Sequence, residues 1–99
     1  MRKYVYLWHV KWSKKMWDKH YADPTYGPNW FTKLREICKE NGVEVLFNGG
    51  AYGTDYNSLF GYKTTKPLGE FVDEVIDKIL DIEKGVTDMT KTNIVLLNE

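Results

Sequence analysis

From Lys3 to Trp12 the chain alternates, with Tyr4, Tyr6, Trp8, Val10 and Trp12 on one face of an extended segment and Val5, Leu7 and His9 on the other. Neither face is polar for most of its length, so the pattern predicts a strand that needs cover on both sides. Between Ser13 and Pro28 the alternation dissolves into Lys, Asp, Pro and Gly, with Met16, Trp17, Tyr21 and Tyr26 interspersed. That composition predicts a long connection over residues 13–28, of the kind that serves as a binding loop or lid. A helix is expected from about Asn29 to Glu40, because Trp30, Phe31, Leu34, Ile37 and Cys38 fall on one stripe at helical spacing. Pro28 and Asn29 suit its start and Gly42 its end.

Val43 to Phe47 reads as a second strand, Asn48-Gly49-Gly50 as a turn, and Tyr56 to Lys63 as a third strand paired with the second. Pro67 opens a second helix whose buried stripe is Phe71, Val72, Val75, Ile76, Ile79 and Leu80. Its acidic residues Glu70, Asp73, Glu74 and Asp77 are solvated and suit the positive helix start, and Gly85 lies where a helix-ending glycine belongs. Thr92 to Leu97 is the last expected strand. The order is βαβ twice over. Right-handed crossovers turn it into one α+β domain over residues 1–99, a ferredoxin-like βαββαβ fold with a four-stranded antiparallel sheet and both helices on one face. The first strand's aromatic alternation is then expected on the face without helices, covered by a partner sheet or a ligand.

The length of 99 residues, with 42% hydrophobic and 15% aromatic content, fits one globular domain. A chain this short buries only roughly 60–68% of its unfolded surface, so association with a second copy would add stability. The single cysteine, Cys38, excludes an internal disulfide, fits a reducing interior, and falls on a helix stripe as a small hydrophobe. No run approaches the ~18 apolar residues of a membrane span, and Met1 to Trp12 has no cleavage-site pattern, so a soluble cytoplasmic protein without a membrane partner is expected. The net charge is zero, yet residues 1–39 hold nine Lys or Arg against three Asp or Glu, and the remainder five against eleven. The split suits either an anionic partner for the first half or attraction between two halves, within one fold or across a dimer.

Residues 49–97 carry Gly53, Asp55 and Tyr56 in a turn before a strand. They close on Gly85-Val86 and Thr90-Lys91-Thr92-Asn93-Ile94-Val95-Leu96. This half resembles the ligand-binding (RAM) domain of the leucine-responsive Lrp/AsnC regulators, although no helix-turn-helix precedes it and Thr54 lengthens the turn. Residues 1–48, with Trp17-Asp18-Lys19-His20-Tyr21 in the first connection, resemble the stand-alone GYD and EthD types. Both resemblances imply the dimeric α/β-barrel superfamily, in which two sheets face each other. Its members range from effector binders to cofactor-free oxygenases and isomerases.

The candidate chemistry is sparse. His20, with Asp18 and Asp23 nearby in sequence, can be read as a general base or as part of a solvated loop. His9 reads as a packed histidine. No His, Cys or carboxylate spacing suggests a metal site, and no cofactor is implied. Gly49, Gly50 and Gly53 precede a strand rather than a helix start, which removes the phosphate-cradle reading. Tyr6, Trp8, Trp12, Trp17, His20, Asp55 and Tyr56 are therefore the expected ligand-binding residues of a homodimeric sensor or carrier. The alternatives are an oxygenase or isomerase with His20 as base and Tyr6 or Tyr21 as proton partner, and single-stranded nucleic-acid binding through the aromatic sheet face and Lys11 to Lys19.

Overall fold

A computed structural model describes residues 2–52, 56–82 and 94–97. The fold is a small α+β one. Its first strand, β1 (Tyr4–Lys11), is the expected alternating segment. β2 (Glu44–Tyr52) and β3 (Asn57–Thr64) follow in the chain, and β3 lies between β2 and β1, antiparallel to both. The short β4 (Ile94–Leu97) runs antiparallel along the other edge of β1, giving the strand order β2-β3-β1-β4.

Three helical segments are present among the described residues. The first, α1, is an α-helical turn (Lys14–Trp17) that widens into a π-helical one (Asp18–Ala22). The second, α2, is a regular helix (Tyr26–Glu40). The third, α3, runs through Leu68–Phe71, a π-helical turn Val72–Ile76, and Asp77–Asp81. The wide turn brings the adjacent residues Val75 and Ile76 into the core together.

The core joins one face of the sheet to all three helices. Tyr6, Trp8 and Val10 of β1 are fully buried, as are their cross-strand partners Tyr62, Phe60 and Ser58 on β3. Trp30, Leu34 and Cys38 of α2 and Phe71, Val75, Ile76 and Ile79 of α3 complete the same cluster. Tyr6 stacks on Phe71 at 4.6 Å between ring centres, and Trp8 packs on Phe60 at 5.2 Å.

Three expectations are corrected. The aromatic alternation of β1 points towards the helices, not away from them. A period of two separates the faces but carries no information about which face the helices take. Residues 13–28 are not a loop: Ser13 caps α1 by accepting from the Met16 amide at 3.2 Å, and Trp12, Met16 and His20, four residues apart, are buried together. The glycine run at 48–50 is not the hairpin turn. β2 passes through it with register shifts between Val45 and Phe47 and between Asn48 and Gly50, continuing to Tyr52, and β3 begins at Asn57. Gly49 has φ +71°, and a Cβ there would sit 2.7 Å from the Phe60 ring and 3.0 Å from Phe31. Glycine is needed at this bulge for its backbone angle and for close contact with the core. The expected features at Gly53, Thr54 and Asp55, at Gly85-Val86 and at Thr90 to Asn93 lie outside the described residues.

The opposite sheet face has no helix over it among the described residues. By register it carries Val5, Leu7 and His9 of β1 beside Lys63, Gly61 and Leu59 of β3. Phe47 lies against Gly61, whose missing Cβ leaves room for the ring, and is still 43% exposed; Leu46 is 45% exposed.

Candidate functional site

His20 is the centre of an aromatic cluster. Its ring lies 4.5 Å from Trp12, 4.7 Å from Trp30 and 5.2 Å from Tyr26, and the residue is only 2% exposed. Its Nδ1 is 2.9 Å from the Met16 carbonyl oxygen one turn earlier; that carbonyl can only accept, so Nδ1 carries the proton. The carboxylates near it in sequence are engaged elsewhere. Asp18 pairs with Lys14 at 2.9 Å, and Asp23 Oδ1 accepts from the amides of Thr25 (2.8 Å) and Tyr26 (2.9 Å), which caps the entry to α2. Gly27 lets α2 close on this cluster, since a Cβ there would lie 2.1 Å from the His20 carbonyl oxygen.

A buried hydrogen-bond chain fastens α1 to the sheet. Trp12 Nε1–H donates to Ser58 Oγ at 2.9 Å, and Ser58 Oγ is 2.6 Å from Tyr21 Oη, whose hydroxyl donates to the Gly49 carbonyl. Tyr21 has one proton and gives it to Gly49, so Ser58 must donate to Tyr21. Burial raises the Tyr21 pKa, and the bond from Ser58 offsets part of that rise. Burial also raises Tyr6, holds Tyr62 well above its usual value and pushes Cys38 up to about 12. These groups are neutral at physiological pH and behave as packing residues; Tyr6 and Tyr21 have internal hydrogen-bond partners, whereas the buried Tyr62 hydroxyl has none among the described residues. Tyr6 donates to the Lys66 carbonyl at 2.9 Å.

The expected ligand-binding residues are thus not one site. Tyr6, Trp8 and Trp12 are core, and His20 is enclosed. Trp17 and Tyr56 meet near the surface, with Trp17 stacked on Tyr21 at 4.4 Å and 5.5 Å from the 37%-exposed Tyr56 ring. Asp55 lies outside the described residues. His9 faces Asn57, its Nε2 donating to Oδ1 at 2.7 Å. Among the described residues no group of three or more His, Cys, Asp or Glu is placed to hold a metal ion. Among the same residues no helix is long and apolar enough to cross a membrane.

An open cavity of about 340 Å³ lies instead beside the first turns of α2. Tyr26, Asn29, Trp30 and Lys33 line it from one stripe of that helix, Asp23 and Thr25 from its entry, and Ile82 from beyond the end of α3. Trp30 is 1% exposed, and its indole Nε1–H has no hydrogen-bond acceptor among the described residues. The Lys19 ammonium lies 4.3 Å above the Tyr26 ring and holds it in place. The sequence signal for this site was the spacing 26, 29, 30 and 33. It crosses the expected boundary between loop and helix, and Ile82 joins it only through the tertiary fold. Comparison with known proteins adds no relative: no family model, curated protein or solved structure matches the chain.

Proposed function

We propose that this protein binds a small molecule in the cavity beside α2 and acts as a sensor or carrier, as a homodimer with the ferredoxin-like α/β architecture. The observation that carries the reading is the cavity itself. It is of the size that accommodates a small organic ligand, walled by Tyr26 and Trp30, and lined by a few polar groups that can orient what enters. The strand order supports the ferredoxin-like assignment. The apolar sheet face around Val5, Leu7, Leu59 and Phe47 supports pairing with a second copy, since an exposed apolar patch of this kind marks an interaction surface. A reducing cytoplasmic setting fits Cys38, which is buried as a free thiol. The test is a fragment screen read through backbone and indole amide shifts, together with the mass in solution. Binding that maps to Tyr26, Asn29 and Trp30 supports the reading, and binding that maps elsewhere defeats it.

The oxygenase or isomerase alternative has less support. Its base would be His20, which is packed among three rings and hydrogen-bonded to the backbone rather than open to a substrate. Replacing His20 with Ala would abolish turnover if that alternative held. The nucleic-acid alternative also loses support, because Tyr6 and Trp8 stack on core residues and present no free ring face. Affinity for single strands that falls steeply with salt through Lys11 to Lys19 would revive it.

A further inference from the structure

We draw no further inference here: the strongest candidate, the apolar outer face of the sheet around Val5, Leu7, Leu59 and Phe47, has no helix over it among the described residues, and nothing in the structure shows what covers it.

Discussion

Replacing Tyr21 with Phe tests the hydrogen-bond chain that fastens α1 to the sheet. The ring and its stack on Trp17 at 4.4 Å remain, and only the hydroxyl is lost. Two groups then lose a partner in the interior, the Gly49 carbonyl and the Ser58 hydroxyl proton. Leaving buried polar groups unpaired in this way costs about 1–3 kcal/mol. For a domain of this size that lowers Tm by about 4–8 °C per kcal/mol. Ser58→Ala removes the same bond from the other side and leaves the Trp12 indole N–H without its acceptor, at a similar cost. Both single variants lose the Ser58–Tyr21 bond, so the double variant should be less destabilised than the sum by about one bond, ~0.5–1.5 kcal/mol. Urea denaturation of the four forms, with unchanged slopes as the check for a common unfolded state, measures the cycle. Additivity within about 0.3 kcal/mol, or a Tyr21→Phe variant as stable as the parent, would refute the proton assignment and the chain with it.

Further predictions concern packing, titration and assembly. Gly27→Ala should destabilise by about 1–3 kcal/mol, because the new methyl meets a backbone oxygen at 2.1 Å that no rotamer change can move. Gly69→Ala, where nothing lies within 4 Å, should be neutral or stabilising by up to about 1 kcal/mol; thermal melts of the two variants decide whether α2 needs the contact with His20. The folded Cys38 thiol titrates at about 12 against an ordinary 9.0, so its contribution is intact below pH 9.0 and is lost as pH rises towards 12. Tm measured against pH should therefore fall on the alkaline side, less steeply in Cys38→Ala, and identical slopes would contradict the burial of that thiol. Light scattering at micromolar concentration should give twice the 11.6 kDa chain mass, returning to one chain in Phe47→Glu. A monomeric parent would remove the sheet-face pairing.

Much of the architecture was legible because hydrophobic period reports element type directly. Trp30, Leu34 and Cys38, then Phe71, Val75, Ile76 and Ile79, and Tyr6, Trp8 and Val10 all reappear as buried faces, with Tyr4, Phe31, Ile37 and Leu80 packed partly buried against them; Val72, expected in the second stripe, is half-buried and outside the core. Which side of the sheet the rings of β1 take depends on the handedness and seating of helices far along the chain, and no local pattern encodes it. The buried residues of α1 carry a four-residue spacing too. It was masked by the Lys and Asp residues of the exposed side, and the π-helical turn at Asp18–Ala22 departs from regular spacing. Gly49 read as a turn because a glycine required by contact with Phe60 and Phe31 has the same one-letter signature as one required by a hairpin. The cavity was hidden for a further reason: it is a gap, and a gap between Trp30, Asp23 and Ile82 exists only once α2 and α3 are in place.

The central claim, a ligand site beside α2, is tested most directly by mapping amide and indole shifts of the labelled protein against a library of small aromatic fragments. The account predicts that hits move the Trp30 indole resonance and the amides of Tyr26, Asn29 and Lys33 as one group, with Trp8 and the outer sheet face unmoved. Hits that cluster on Val5, Leu7 and Leu59 instead, or a full library that leaves Trp30 untouched, would contradict it.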